Sequence, residues 1–268
     1  MRTRLLRLAI LAGVAGLLLF LLLPFLSLIL RVSPGVLLGR LGEPLVLDAL
    51  RLSLITSLCS TALIVALGTP LAWLLATRRF PGKRLIEGLI DLPMVLPPTV
   101  AGLALLLAFG RMGLAGRALG VAGITLPFTT LGVVVAQVFM SAPFFIAPVR
   151  AGFSSVDRRL LDVASTLGAN ETHAFRRVAL PLARPALIAG AAMACARALG
   201  EFGATITFAG NLPAITQTMP LGVYMALQSD LDAAIVLSVL LLLMSFGLLL
   251  VLRAGPSGLL SRIGSASR

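Results

Sequence analysis

Arg197 and Glu201 stand four residues apart inside an apolar run, and of all residues in this chain their types and spacing most suggest chemistry. Positions i and i+4 share one face of a helix, so a guanidinium and a carboxylate at this spacing can pair. Each unpaired charge in mid-bilayer costs about 2.5–3.5 kcal/mol on insertion scales, which favours an internal Arg197–Glu201 pair facing other helices. Such a pair serves as a structural clip or as a contact to a solute or gate. Two more acids, Glu87 and Asp91, open another apolar run, IEGLIDLPMVLPPTVAG, which Pro93, Pro97 and Pro98 interrupt. Paired prolines remove backbone donors and kink a helix, and in lipid the freed carbonyls need partners or a water-filled cavity. The depths of Asp91 and Arg197 leave a contact between them open. Asp91, Pro97, Pro98, Arg197, Gly200, Glu201 and Gly203 therefore form the candidate set for a pathway, a gate or a helix pair.

Catalysis is not suggested. The sequence contains no G-x-x-x-x-G-K-[ST] phosphate loop and no H-E-x-x-H pair, and its one histidine, His173, falls in a polar loop. Cys59 and Cys195 lie within apolar runs, a placement that suits neither a disulfide framework nor a metal site. The expectation is a chain with no catalytic residue, no metal and no cofactor of its own.

The elements that position these residues can be read from composition. Of 268 residues 59% are apolar and 12% charged, with a mean hydropathy of +1.06, which places the chain in the membrane. Six runs approach the roughly 20 residues needed to cross a bilayer, at about 8–30, 50–77, 86–109, 129–152, 185–209 and 233–252. The first begins with arginines as a signal peptide would, but it is too long and no A-x-A-like site comes after it, so it reads as a retained helix. Six spans put both termini on one side. That side collects Arg2, Arg4, Arg7, the Arg78–Arg84 cluster, the arginines from Arg150 to Arg184, Arg253, Arg262 and Arg268. The other side holds Arg31, Arg40, Arg111 and Arg117. The asymmetry predicts cytoplasmic termini and explains most of the net charge of +12 without a nucleic-acid partner. Small residues at Ala186, Gly190, Ala194 and Ala198, with Ala192, Ala196, Gly200 and Ala204 beside them, predict a centrally packed fifth span. The stretch GNLPAITQTMPLGVYMALQSD (210–230), uncharged until Asp230, reads as an outer lid or docking surface, or as an amphipathic segment on the membrane. One all-α transmembrane domain over 1–268 is the expected architecture.

Between the fourth and fifth spans lies DRRLLDVASTLGANETHAFRRVALP (157–181), polar and rich in arginine. Asp157 can cap a helix whose apolar positions Leu160, Leu161, Ala164 and Leu167 recur at helical spacing, and Gly168 stands where a left-handed C-terminal cap is wanted. Asn170 can cap a second short helix through Phe175, with Pro181 as its stop. A structured loop of this length, 154–183 with its flanks, predicts a docking element.

This loop resembles the cytoplasmic signature of ABC-importer permeases: E-A-A, three residues, G, nine residues, I-x-L-P. Asp162, Val163 and Ala164 occupy the first three positions, Gly168 the glycine, Val178 the isoleucine, and Leu180 and Pro181 the end. Asp for Glu and Val for Ala depart from the pattern, while the spacing matches throughout. The resemblance implies a type I importer fold whose two-helix coupling loop docks an ATPase through Asp162, Val163, Ala164, Leu167, Gly168, Ala169, Asn170, Phe175, Arg176, Val178, Leu180 and Pro181. DLPMVLPPTVAGLALLLAFG (91–110), ARALGEFGATITFAGNLP (196–213) and TQTMPLGVYMALQ (216–228) look like stretches of molybdate permeases, with sulfate permeases sharing the RALGEFG-like segment.

That resemblance implies a homodimeric pore in a bacterial or archaeal cytoplasmic membrane. It also implies two cytoplasmic ATPase subunits that bind ATP and Mg, and a periplasmic or lipid-anchored oxyanion-binding protein. Tungstate, sulfate and thiosulfate remain alternative cargoes. A secondary transporter driven by an ion gradient is the rival class. It would show inverted repeats with matching broken helices, and the Pro97–Pro98 break shows no counterpart in the second half of the sequence.

Overall fold

A computed structural model describes residues 2–254, and every regular element among them is helical. The tail arginines Arg262 and Arg268, which contribute to the charge asymmetry, lie outside the described residues. In chain order the helices are α1 (Arg2–Arg31), α2 (Pro34–Arg40), α3 (Pro44–Thr77), α4 (Lys83–Val95), α5 (Pro98–Phe109), α6 (Gly116–Val121), α7 (Thr130–Ser154), α8 (Arg158–Thr166) and α9 (Glu171–Ala174). A π-helical turn, Phe175–Ala179, leads into α10 (Leu180–Leu182), and then come α11 (Arg184–Leu199), α12 (Gly203–Phe208), α13 (Met219–Ser229) and α14 (Leu231–Ala254).

Four stretches are single helices long and apolar enough to cross a membrane: Ala9–Arg31, Pro44–Thr77, Thr130–Ser154 and Leu231–Leu250. A fifth arises if Glu171–Leu182 and Arg184–Leu199, bent by 73°, count as one. The expected third and fifth spans are therefore not continuous helices. The third divides at Leu96–Pro97, where extended backbone and two successive prolines end the hydrogen-bond ladder. The fifth divides at Gly200–Phe202, where no proline signals a break. The second half thus does contain a broken helix, contrary to the sequence expectation. The chain leaves the helix through Gly200, Glu201 and Phe202, and a glycine there is no signal, being common in unbroken membrane helices.

The core is a three-helix seam of α3, α7 and α11. Ile64, Ala72 and Leu75 of α3 and Ala194 of α11 bury against Phe145, Ile146, Val149 and Phe153 of α7. Small residues set the approach: Gly68 faces the Phe145 ring, and a Cβ at Gly190 would lie 3.0 Å from Val149 Cγ2 and 3.1 Å from the Phe145 carbonyl. Helices come this close in lipid by packing alone, which explains the small-residue face of α11. Some polar residues inside the seam find partners within their helix and others across it: Thr56 Oγ1 donates to the Leu52 carbonyl at 2.8 Å, and Ser60 Oγ of α3 reaches Gln137 Oε1 of α7 at 3.2 Å, while Ser141 Oγ has no partner among the described residues.

A second cluster joins Val46 and Ala49 of α3 to Met219 and Ala226 of α13 and Ala233, Ala234 and Leu237 of α14. The 210–230 stretch is exposed at 212–215 and along one face of α13 but anchored by a buried centre. Thr216, Gln217 and Thr218 are buried, and the Met219 N–H donates to Ser53 Oγ at 2.7 Å. The absence of charge at 216–218 suits their burial, which only paired or neutral polar groups tolerate.

The third cluster holds the two broken spans together: Ala101 and Leu105 of α5, Ala136 and Met140 of α7, and Ala204 and Phe208 of α12. A Cβ at Gly102 would fall 2.7 Å from Thr207 Cβ and 2.8 Å from the Ala204 carbonyl oxygen. Gly102→Val is accordingly expected to force α5 off α12, costing about 1–3 kcal/mol as overpacking does. Thermal melting of the purified chain in detergent measures this, and an unchanged melting temperature would show that the pair separates freely.

Outside the long helices, Arg40 ties α2 to the α13–α14 junction. Its Nη1 lies 2.5 Å from Asp230 Oδ2 and 3.3 Å from Glu43 Oε1. The Asp230 carboxyl is held below the usual carboxylate range, first by the Ala233 N–H that it caps and then by Arg40, while Arg40 is raised chiefly by its hydrogen bond to Asp230. A depressed carboxylate stabilises the fold above its ordinary pKa and loses that contribution as pH falls through the folded value. Acidification below about pH 4 should therefore release α2, read as faster amide exchange over 34–43. Asp230→Asn should remove this acid sensitivity.

Candidate functional site

The 154–183 loop is built from caps that the sequence encodes locally. Asp157 Oδ1 accepts the Arg159 N–H at 3.0 Å and starts α8, and Asn170 Oδ1 accepts the His173 N–H at 2.8 Å and starts α9. Between them Gly168 has φ +84°. The Ala169 N–H bonds the Ala164 carbonyl and the Gly168 N–H bonds the Ser165 carbonyl, both at 3.0 Å, which is a Schellman ending. Pro181, however, does not stop the second helix. The chain continues through the π turn, in which the Leu180 N–H reaches back to the Phe175 carbonyl, and bends only at Ala183. Proline lacks the N–H that would bond Arg177 and its ring crowds that carbonyl, and a widened turn upstream accommodates both.

The two limbs differ in exposure. On α8, Val163 is 56% and Leu167 82% exposed, Leu160 and Asp162 are exposed as well, and Ala164 is half-buried. Asn170, Arg176 and Pro181 are exposed, and Ala169, Phe175, Val178 and Leu180 half-buried. Phe175, Leu180 and, from α8, Leu161 pack against the main core. Asp162 lines a cavity of about 460 Å³ with Arg78, Arg79, Lys83 and Arg158. An apolar ridge thus stands clear of the protein on a base fastened to it, an arrangement suited to insertion into a groove on another protein.

The second site is where the broken spans meet. A Cβ at Gly203 would lie 2.6 Å from Pro98 Cβ and 3.3 Å from the Thr99 nitrogen, so the start of α12 abuts the start of α5. Glu201, 1% exposed, sits in the gap before α12. Its Oε1 accepts the Ala204 N–H at 2.8 Å, and its Oε2 lies 2.7 Å from Arg197 Nη2. That second approach lacks hydrogen-bond alignment, so Oε2 receives charge without an aligned donor. The Arg197 side chain, 25% exposed, lies with its guanidinium carbon 6.0 Å from the Phe144 ring centroid. One carboxylate therefore links the end of α11 to the beginning of α12. Pro97, Pro98 and Gly200 are exposed at the two breaks.

Asp91 is exposed and joins no ion pair among the described residues. The acid that crosses between spans is Glu87, one turn earlier, 2.6 Å from Arg150 Nη1 on α7. Sequence reasoning also missed Arg78, whose Nη2 lies 2.6 Å from Glu171 Oε2. In both pairs each partner had a recognised local role, in topology or in a loop, and nothing local marked the long-range contact. Among the described residues no group of three or more His, Cys, Asp or Glu is arranged to hold a metal.

A membrane-embedded bundle with a capped, exposed loop and two apposed helix breaks suits a transporter subunit, and the comparisons with known proteins give that class. Residues 68–254 match the profile of the binding-protein-dependent transport system inner membrane component family, and the chain belongs to that family. It is 42% identical over 235 residues to the molybdenum transport system permease protein ModB of Mycobacterium tuberculosis, covering 88% of this chain and 89% of the relative. ModB of Escherichia coli (strain K12) is 42% identical over 68% of this chain and 80% of its own length. A probable molybdenum ABC transporter permease protein of Haloferax volcanii is 37% identical over 91% and 88%. In fold, the chain is similar to a subunit of a bacterial ABC transporter that imports alginate, with a TM-score of 0.76 at 15% identity and 94% coverage of both chains.

Proposed function

We propose that this chain is the pore-forming subunit of an ATP-driven molybdate importer. The observation that carries the reading is its 42% identity to a molybdenum permease over nearly its whole length, with no nucleotide-binding motif anywhere in its own sequence. Energy must then come from partners. Two cytoplasmic ATPase subunits bind ATP and Mg and dock on α8, with contacts from Asp162 through Pro181. Their closure turns the bundle between inward- and outward-open states. The charge asymmetry supports six crossings of the cytoplasmic membrane with both termini and the docking loop inside. A second copy of the chain completes the pore, and a periplasmic or lipid-anchored binding protein delivers the oxyanion outside.

Arg197 and Glu201, with Asp91, Pro97, Pro98, Gly200 and Gly203, are assigned to the pathway or its gate. Broken helices at mid-membrane commonly flank a transported ion, because their ends present unpaired backbone groups. Uptake into proteoliposomes holding this chain, its ATPase and its binding protein tests the cargo. Molybdate should be taken up and should stimulate ATP hydrolysis in preference to sulfate. Preferential uptake of sulfate would overturn the assignment, and tungstate uptake alone would move it to that anion.

A further inference from the structure

Three rings lie where the docking loop meets the membrane helices. Trp73 is one turn from the end of α3, Phe153 is next to the last residue of α7, and Phe175 opens the π turn. Trp73 and Phe153 meet edge to face with centroids 5.3 Å apart, Trp73 and Phe175 are 5.4 Å apart, and Phe153 and Phe175 are 6.0 Å apart. Offset and edge contacts at these distances are favoured by the ring quadrupoles and resist sliding. The covalent route from the loop to α11 is less direct, because the π turn widens the ladder and the 73° bend at Ala183 turns the chain before α11 begins. A push on α8 or α9 is thus poorly placed to travel along the backbone into α11. Through space the route is short: Phe175 bears directly on the ends of α3 and α7, and Arg78–Glu171 braces the same end of α3.

We infer that Trp73, Phe153 and Phe175 form the joint through which docking-loop movement enters α3 and α7, making them positioning residues for coupling ATP hydrolysis to transport. The inference rests on the proposed docking role of the loop. α3 and α7 pack along much of their length against each other and against α11, so displacement at their ends is carried into the seam as a rigid shift rather than absorbed by the π turn. The joint thereby separates two properties of the loop. The α8 ridge holds the partner, and the rings transmit its movement.

The test compares Phe153→Ala, Trp73→Ala and Leu71→Ala in proteoliposomes containing this chain, its ATPase and its binding protein. Leu71 packs on the same core but is not one of the rings. Phe153→Ala and Trp73→Ala, neither of them among the docking residues, should retain the ATPase through purification and still hydrolyse ATP. Molybdate imported per ATP should fall about fivefold, the size expected for loss of one or two such ring contacts. Trp73→Phe, which keeps a ring, should restore the ratio. An unchanged ratio in both ring variants, or an equal fall in Leu71→Ala, would overturn the joint. Where an alanine variant fails to insert, Phe153→Leu and Trp73→Leu give the same readout, and a wild-type ratio in both likewise overturns it. If the unaltered chain retains no ATPase, the docking role fails and the joint falls with it; an uncoupled ratio with a retained ATPase supports both.

Discussion

Gly168→Val should reduce molybdate uptake by about tenfold or more while leaving the chain inserted and helical. Gly168 sits at φ +84°, a region that costs an ordinary L-residue about 1–2 kcal/mol and a β-branched residue more. No atom lies within 4 Å of where its Cβ would be, so the substitution creates no packing clash and the strain stays within the turn. Relieving that strain swings α8 relative to α9, because the Schellman bonds from Ala169 and Gly168 hold the angle between them. Only a surface that must match a partner would register such a change strongly. The expected result is normal amounts of protein in the membrane, little ATPase recovered with it and little uptake. Full transport by this variant would refute the docking role of the loop.

Glu201→Gln is expected to have the other large effect, and for a different reason. Glutamine keeps an oxygen to accept the Ala204 N–H and has nearly the same volume, so neither the cap nor the packing need change. What disappears is the counter-charge of Arg197. Removing one partner of a buried pair costs about 3–5 kcal/mol, because the other charge is left uncompensated. The variant should therefore melt well below the unaltered protein and transport little. Adding Arg197→Met removes the second charge as well, and stability should return. In the pathway assignment transport stays low in this double variant, since the oxyanion has lost a cation. Recovery of both stability and uptake would reduce the pair to a clip between α11 and α12.

Several parts of the molecule were legible in the sequence alone. Caps at Asp157 and Asn170 and the left-handed Gly168 depend on bonds spanning at most five residues, so residue types at fixed offsets suffice to find them. The proline break of the third span is equally local. The glycine break at Gly200 was missed, because a glycine in a membrane helix is ambiguous until a neighbour decides. Here Pro98 fills the space that a Cβ on Gly203 would need, and Glu201 turns inward to cap the next helix. Within 210–230 the sequence did not show which part is buried: uncharged polar residues suit an exposed and a buried position equally well, and only packing against α3 and α14 buries 216–219 while 212–215 stay exposed.

By itself, then, the sequence determined an all-helical membrane chain, the positions of its longest spans, the capped two-limb loop and the resemblance that named its class. Each of these rests on hydropathy or hydrogen bonding over a few neighbouring residues. Tertiary structure decided that Glu87 pairs with Arg150, that Glu201 bridges two half-helices, that Pro181 widens a turn instead of ending one, and that Trp73, Phe153 and Phe175 converge. Partners separated by tens of residues meet only when small faces such as Gly68 and Gly190 set how closely α3, α7 and α11 approach. That distance is a property of the packed helices together, and no single segment carries it.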